Sequence, residues 1–357
     1  MKRVGIMLLF LTLFPFVSVP VPAQEGDGGI GAKGQDTSLI TFLPDIEYVK
    51  RDGRSYRLDI CQPKKLTSEV PAVILTHGGG FRKGSKKDLR KECVALANMG
   101  YVGVAVDYRL TDIAPYPAQI DDVQYAVRWV RANANKYSID PTKLGSLGGS
   151  AGGYLATMLG VRDTRDVAGG LPGFSSQVQI VIDRSGIPMD ATDASTLPDP
   201  NGPFKDALGE ITTTYLKGYT QTVELTREIS AVTYVTGKSA PLLAVHSVND
   251  QLAPIANAYA IVNALKAQGV EARVESFQGI GNAHGRSRLP AAEQSRLWNI
   301  ETQFLLTHLP LPSVSGTPAP AKVSSGVSLP KGRSLLVVGG VFVAAFVGMI
   351  IFLMGRR

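Results

Sequence analysis

The chain has 357 residues, of which 44% are hydrophobic, and its formal net charge is +7. This length and apolar content suit one large globular domain with appended segments, and they exclude a disordered or fibrous chain. The positive charge would fit a nucleic-acid partner, but the sequence contains no nucleic-acid-binding module. We therefore expect no nucleic-acid partner.

Both ends of the chain have the composition of targeting and membrane segments. At the N-terminus, basic residues precede an apolar run and small residues, which predicts a signal peptide over residues 1–23. Residues 335–354 carry no charge and are long enough for a transmembrane helix, and residues 310–333 form a Pro-, Ser- and Gly-rich linker. We predict an exported protein that faces the cell surface or periplasm. This single C-terminal helix is expected to anchor it in the membrane, which is its predicted partner. Proteolytic processing at a sorting signal near residues 329–332 is the alternative.

Much of the excess positive charge lies in a short segment where acidic residues are interleaved with basic ones. This pattern predicts a solvated helix face rather than a ligand site. The basic residues are Arg82, Lys83, Lys86, Lys87, Arg90 and Lys91.

The chain contains two cysteines. Cys93 follows Leu89 by one helical turn, so we expect its side chain to face the core. A disulfide with Cys61 is chemically possible in an oxidising compartment, but the pattern favours two unpaired cysteines.

The predicted elements begin with a hairpin and continue as alternating strands and helices. Residues 46–49 and 56–60 alternate apolar and polar side chains around Asp52-Gly53, a strong hairpin signal. The later strands are short and apolar on both faces, which indicates a mostly parallel sheet with helices on both faces. These strands are predicted at residues 72–75, 102–106, 143–147, 178–182 and 242–245, with helices over 119–131 and 291–306 among the helical segments. A further strand is predicted at residues 274–277.

The segment Gly148-Gly149-Ser150-Ala151-Gly152 lies between a predicted buried strand and a predicted helix. A Gly-x-Ser-x-Gly sequence in this context is typical of a nucleophile elbow, in which small neighbours let strand and helix pass closely and expose the serine hydroxyl. The pattern alone is weak, because glycine-rich strand-to-helix turns are common. Combined with the hairpin and parallel sheet, it predicts an α/β-hydrolase domain over residues 36–309.

The sequence His77-Gly78-Gly79-Gly80-Phe81 follows the strand predicted at 72–75. Glycine-rich loops of this type supply backbone N–H groups to the oxyanion hole of lipases and esterases, together with the residue after the nucleophile. We assign the oxyanion hole to Gly79, Gly80 and Ala151.

The chain has four histidines as candidates for the general base. His77 belongs to the glycine-rich loop, His246 ends a strand, and His308 lies where the last helix meets the linker. His284 remains, in a flexible loop after the strand at 274–277. This position agrees with the order serine, acid, histidine that is typical of the fold.

The carboxylate that orients the base is predicted to be Asp250, which follows the strand at 242–245. Asp183, at the end of the strand at 178–182, is the alternative. Either aspartate could instead cap backbone N–H groups in a loop.

Several further stretches match a known group of enzymes. They are His77–Phe81 with Gly84 and Ser85, Asp107–Leu110, Tyr116–Asp122 with Ala126 and Trp129, Ile139–Pro141, Gly148–Gly153 and Ser230–Tyr234. Over about residues 58–308 the chain resembles secreted bacterial esterases of the α/β-hydrolase superfamily, described as acetyl-xylan or feruloyl esterase-like and related to the hormone-sensitive-lipase group. The resemblance implies the triad Ser150, Asp250 and His284, with no metal or organic cofactor.

Two departures from the family pattern leave the shape of the substrate pocket open. Ser247 stands where a glycine is common, and Asp183-Arg184 places charge where a small or apolar pair is usual. The segment 185–239 is expected to form a lid or pocket wall.

We expect a serine hydrolase that cleaves small acyl groups, through an acyl-enzyme, from a small-molecule or polysaccharide ester. An amide-cleaving relative, such as a formamidase or peptidase, and a catalytically silent surface-binding protein are the alternatives.

Overall fold

A computed structural model describes residues 37–166, 170–281, 284–286 and 288–312, apart from the side chains of residues 207 and 208. The predicted signal peptide at 1–23, nearly all of the linker and the predicted transmembrane helix at 335–354 lie outside the described residues. The limits predicted for the segments of the chain therefore stay predictions.

The localisation prediction requires a correction. Within the described ranges, no helix is both long enough and apolar enough to cross a bilayer. On this finding we withdraw the anchored, exported localisation and the membrane partner.

The predicted hairpin is confirmed and is longer than the alternating pattern indicated. Strand β1 (Ile40–Arg51) and strand β2 (Arg54–Pro63) pair antiparallel. Asp52 and Gly53 connect them, and both have positive φ angles, 49° and 75°. Two consecutive positive φ values belong to the tight turns that match the twist of a hairpin.

The sheet has eight strands in the order β1-β2-β4-β3-β5-β6-β7-β8. Strands β1, β2 and β4 pair antiparallel, and all the remaining pairs are parallel. This confirms the mostly parallel sheet with an N-terminal antiparallel hairpin. The remaining strands are β3 (Val70–Thr76), β4 (Val102–Val106), β5 (Ile139–Gly149), β6 (Ile180–Arg184), β7 (Leu242–Ser247) and β8 (Ala272–Phe277).

Helices cover both faces of the sheet. On one face, helices α2 (Ala118–Ala132), α3 (Ala151–Val161) and α6 (Ala256–Ala267) pack on the larger core cluster. On the other face, helices α1 (Arg90–Asn98) and α7 (Ala291–His308) pack on a second cluster. Two covered faces explain why strands β3, β4, β6 and β7 are buried along their whole length.

The segment 185–239, which was expected to form a lid or pocket wall, contains two short helices. Helix α4 spans Lys205–Tyr215 and helix α5 spans Val223–Ile229. Tyr215, at the end of α4, accepts a backbone hydrogen bond from the N–H of Tyr116, with an N–O distance of 2.7 Å. Helix α4 is thereby attached to the body of the domain.

The basic segment differs from the prediction at Lys86. Its ammonium group is buried and lies 2.7 Å from Oδ1 of Asp59 and 2.8 Å from Oδ1 of Asp45. Lys83 and Lys87 are exposed, as predicted. The charge pattern of the segment could not predict that Lys86 is buried, because its partners Asp45 and Asp59 lie on the hairpin, far away in the sequence.

The two cysteines form a disulfide between β2 and α1, with a Cα–Cα distance of 5.5 Å. Cys93 is buried, as predicted, but the expectation of unpaired thiols was wrong. The packing of α1 on the sheet brings the side chain of Cys93 to that of Cys61, and spacing in the sequence does not contain this information.

Candidate active site

Ser150 lies at the sharp turn between β5 and α3. Its φ and ψ angles are 55° and −125°, a combination that is strained for a residue with a side chain. The N–H of Ser150 donates to the carbonyl oxygen of Arg184 at 2.8 Å, and its own carbonyl accepts from Tyr154 at 3.1 Å. Hydrogen bonds on both sides therefore hold the strained turn.

Glycines allow the close approach of α3 to the sheet at this turn. A Cβ atom at Gly148 would lie 2.2 Å from the carbonyl oxygen of Gly152, and one at Gly152 would lie 2.1 Å from the carbonyl oxygen of Thr76. Both separations are far below van der Waals contact. The glycine pattern of the elbow is thus a packing requirement.

Ser150, His284 and Asp250 come together at the carboxyl ends of β5, β8 and β7. Nε2 of His284 lies 2.7 Å from Oγ of Ser150, and Nδ1 lies 2.9 Å from Oδ2 of Asp250. Since the carboxylate accepts a hydrogen bond from Nδ1–H, Nε2 carries the lone pair that faces the serine hydroxyl. This tautomer is able to remove the serine proton.

The carboxylate of Asp250 has a further pair of donors. Its Oδ1 accepts from the backbone N–H of Leu252 at 3.0 Å and of Ala253 at 2.8 Å, and its side chain is buried. His246 donates from Nε2 to the carbonyl oxygen of Ala253 at 2.7 Å, and burial lowers the pKa of this histidine. A neutral His246 therefore fixes the turn that presents Asp250 to His284.

Asp183, the alternative acid, makes a different contact. Its Oδ1 accepts from the N–H of Gly186 at 2.9 Å, and its side chain is completely buried. Burial raises the pKa of Asp183 to about 7. The carboxylate bound to His284 belongs to Asp250.

The glycine-rich loop lies directly beside Ser150. A Cβ atom at Gly78 would be 3.3 Å from Cβ of Ser150. Gly79 and Gly80 have φ angles of 110° and 60°, which glycine adopts without strain. Among the described residues, none accepts a hydrogen bond from the N–H of Gly79, Gly80 or Ala151.

His77 stabilises the start of this loop. Its ring stacks on Tyr108 with centroids 4.2 Å apart, and the Tyr108 hydroxyl donates to the carbonyl oxygen of His77 at 2.8 Å. Burial lowers the pKa of His77 to about 4, so the imidazole is neutral at physiological pH. A neutral ring suits its role as a buried support for the loop.

Helix α4 borders the loop on the outer side. A Cβ atom at Gly80 would lie 2.9 Å from Cδ1 and Cγ1 of Ile211. Phe81 stacks on Tyr215 at 4.1 Å, and Arg82 forms an ion pair with Glu210. The segment expected to form a pocket wall therefore packs on the glycine-rich loop through α4.

Sequence reasoning missed several residues around the site, including Ile211 and Asn249. Asn249 precedes Asp250 and binds the backbone of the loop that carries His284. The one signal in the sequence was the unusual Ser247, whose hydroxyl donates to Asn249. Across the described ranges, no cluster of three or more His, Cys, Asp or Glu side chains is arranged to hold a metal ion.

The sheet order, the strained serine turn and the Ser150–His284–Asp250 contacts define an α/β-hydrolase fold. The chain belongs to the BD-FAE family of α/β-hydrolase esterases, whose family model matches residues 58–265. This confirms the resemblance found in the sequence.

Curated relatives include two proteins of Mycobacterium tuberculosis. The probable carboxylic ester hydrolase LipM is 29% identical over 62% of this chain and 51% of its own length. The carboxylesterase NlhH is 38% identical over 42% of this chain and 50% of its own length. The chain thus spans about half the length of these relatives.

Solved structures with the same fold include a hydrolase and an esterase. An acetyl ester-xyloside bifunctional hydrolase from Caldicellulosiruptor lactoaceticus matches with a TM-score of 0.60 and 20% identity, over 74% of this chain and 96% of the hydrolase. A truncated carbohydrate esterase from gut microbiota matches with a TM-score of 0.63 and 24% identity, over 76% and 99% of the two chains. At this identity the matches establish the fold.

Proposed function

We propose that this protein is a serine carboxylic ester hydrolase in which Ser150 is the nucleophile, His284 the general base and Asp250 the residue that orients the base. The observation that carries the proposal is the continuous set of hydrogen bonds from Oγ of Ser150 through His284 to Asp250, at 2.7 and 2.9 Å. Family membership and the names of the relatives support ester hydrolysis.

The first half of the reaction acylates Ser150. As Oγ attacks the ester carbonyl carbon, its proton moves to Nε2 of His284, and Asp250 stabilises the imidazolium that forms. The N–H groups of Gly79, Gly80 and Ala151 bind the negative oxygen of the tetrahedral intermediate; one such donor typically contributes about 2.7–4 kcal/mol to lowering the barrier. The intermediate collapses when Nε2–H protonates the leaving alcohol.

The second half of the reaction releases the acid. His284 removes a proton from a water molecule, whose oxygen attacks the acyl carbon, and the same N–H groups bind the second oxyanion. Collapse returns the proton to Oγ of Ser150. Each proton is moved by His284, which has its second nitrogen held by Asp250 throughout.

We propose small acyl groups on a carbohydrate or a similar alcohol as the substrates. The side chain of Ile211 packs so closely on Gly80 that a Cβ atom there would lie 2.9 Å from it, and this supports a short acyl group. Two proteins of the same fold are described as an acetyl ester-xyloside hydrolase and a carbohydrate esterase, and this supports a sugar as the alcohol.

The test uses the Ser150→Ala variant and an organophosphonate probe. The variant should lose kcat on p-nitrophenyl acetate by several orders of magnitude while its thermal unfolding stays that of a folded domain. The probe should label Ser150 in the unmodified protein. Labelling elsewhere, together with full activity of the variant, contradicts the proposal. A panel of acetylated polysaccharides, feruloyl esters and formamides then defines the substrate and tests the amide-cleaving alternative.

A further inference from the structure

The loop that carries His284 connects β8 to α7, and its described residues belong to neither a helix nor a strand. A base on such a loop needs contacts from outside the loop to stay within hydrogen-bond distance of the serine. Shifts of about 1 Å at a catalytic group can reduce the rate about 100-fold. The contacts of this loop therefore bear directly on the reaction.

Asn249 makes three hydrogen bonds to the backbone of this loop, upstream of His284. Its Oδ1 accepts from the N–H of Gly279 at 2.8 Å. Its Nδ2 donates to the carbonyl oxygens of Gly281 at 2.8 Å and of Gly279 at 3.1 Å. Both sides of the side-chain amide are used, so the contact fixes the orientation as well as the distance of the loop.

Ser247 orients the amide of Asn249. Its hydroxyl donates to Oδ1 of Asn249 at 2.7 Å, and its backbone pairs with Phe277 at the end of β8. With this donor in place, Oδ1 faces the N–H of Gly279, and Nδ2 faces the carbonyl oxygens. A glycine at 247 would leave the amide without this bond.

The downstream side of the loop is attached separately. Nη1 of Arg286 lies 2.9 Å from Oε1 of Glu301 in α7, and the same carboxylate binds Nε and Nη2 of Arg184. The buried ion pair therefore holds the downstream side of the loop, and Asn249 contacts its upstream side.

We propose that Asn249, oriented by Ser247, is a positioning residue that holds the His284 loop against the turn of Asp250. The inference rests on the proposed function, because it assigns Asn249 a part in keeping base and acid together. In the part of the chain that the structure describes, Asn249 makes no hydrogen bond to Ser150 or to the ring of His284. Its effect on the reaction passes through the backbone of residues 279–281.

The experiment compares Asn249→Ala, Asn249→Asp and Ser247→Ala with the control Val248→Ala in the full chain. Val248 is the exposed neighbour of Asn249. Asn249→Ala removes the three bonds to the loop, and Ser247→Ala removes only the orienting one. Asn249→Asp keeps the shape and the bond from Gly279 but turns a carboxylate oxygen towards the loop carbonyls.

Two measurements are made on each variant. Kinetics on p-nitrophenyl acetate should show kcat lower by about 10- to 100-fold in Asn249→Ala with KM changed less than about twofold, because positioning acts on the chemical step. Asn249→Asp should be slower still, and Ser247→Ala should fall between wild type and Asn249→Ala. Hydrogen–deuterium exchange of the peptide over residues 278–288 should quicken in the same order and stay unchanged in Val248→Ala.

The proposal is overturned if Asn249→Ala exchanges deuterium in residues 278–288 as slowly as wild type. It is also overturned if Asn249→Asp retains more kcat than Asn249→Ala, since that order is expected when the side chain only fills space. Should Asn249→Ala not fold, Ser247→Ala tests the same proposal, because it removes only the hydrogen bond from the Ser247 hydroxyl to Asn249. Hydrogen–deuterium exchange does not depend on catalysis. If Ser150→Ala keeps full activity, the ester-hydrolase proposal fails, but the exchange of residues 278–288 still tests whether Asn249 holds the loop.

Discussion

The backbone N–H of Ser150 donates a hydrogen bond to the carbonyl oxygen of Arg184, with an N–O distance of 2.8 Å. Arg184 ends β6, and its guanidinium group binds Glu301, which in turn binds Arg286, two residues beyond His284. The turn of the proposed nucleophile and the loop of the proposed base are therefore attached to one buried carboxylate. The local sequence around Ser150 alone does not create this arrangement.

The contact between Asp250 and His284 predicts different outcomes for the two candidate acids. Asp250→Asn should lower kcat by about 10³- to 10⁴-fold, because the amide stabilises the wrong tautomer of His284. Asp183→Asn should remain close to wild type in kcat. Steady-state kinetics on an acetate ester checks both variants, and the reverse ranking contradicts the assignment of Asp250.

The burial of Asp183 is expected to make the free energy of unfolding depend on pH. Burial raises the pKa of Asp183 to about 7, from 3.8 in the unfolded chain. The folded state therefore holds the proton more tightly, and this residue's contribution to the free energy of unfolding decreases as the pH rises from about 4 to 7. Asp183→Asn should raise the free energy of unfolding by about 2 kcal/mol at pH 5 and by up to about 4 kcal/mol at pH 8, because the penalty of the buried carboxylate is only partly present at pH 5.

Urea denaturation at the two pH values measures this term. Asp112→Asn, at an exposed site, is the matched control and should leave the pH dependence of wild type unchanged. Equal effects of Asp183→Asn at pH 5 and pH 8 would show that the buried carboxyl titrates normally.

Any side chain at the elbow position Gly152 is expected to clash with the neighbouring backbone. A Cβ atom there would overlap the carbonyl oxygens of Thr76 and His77, at 2.1 and 2.6 Å, and Thr76 is held in strand β3. Gly152→Ala should therefore destabilise the protein by at least about 1–3 kcal/mol and reduce activity. The control is Gly209→Ala in α4, where nothing lies within 4 Å of the new atom. It should stabilise the helix by up to about 1 kcal/mol. Thermal unfolding of both variants separates the two cases.

The position of Ile211 is expected to limit the length of the acyl chain that the site accepts. If this side chain closes the space beside Gly80, Ile211→Ala should raise the ratio of kcat/KM for hexanoate over acetate esters by about tenfold or more, since one methylene in a pocket is worth about 10- to 200-fold. Thr213→Ala, on the exposed side of the same helix, should leave the ratio unchanged. An unaltered ratio in Ile211→Ala places the acyl group elsewhere.

Replacement of the buried Lys86 is expected to cause a large loss of stability. Its side chain is 4% exposed and that of its partner Asp59 is 2% exposed, so Lys86→Met leaves a buried carboxylate without its cation. Loss of one partner of a buried pair costs about 3–5 kcal/mol. Lys87→Met, at an exposed neighbour, should change the free energy of unfolding by less than about 0.5 kcal/mol. Chemical denaturation of both variants tests the burial of Lys86.

Local patterns in the sequence were sufficient for the fold and for most of the candidate site. The alternating runs around Asp52-Gly53 predicted the hairpin, and short apolar strands predicted the parallel sheet, because periodicity reports which faces are buried. Ser150 and the 77–81 loop were identifiable because sharp turns and bare backbone need glycine at fixed spacing. His284 followed by elimination among few histidines.

Only the tertiary structure decided which distant groups meet. It placed Asp250 rather than Asp183 beside His284, joined Cys61 to Cys93 and buried Lys86 against the hairpin. It also brought Ile211 to Gly80 and Asn249 to the backbone of the His284 loop. Each of these contacts joins segments far apart in the chain, and its existence depends on how helices and loops pack on the sheet. Side-chain partners across such distances leave no periodic pattern in a single sequence.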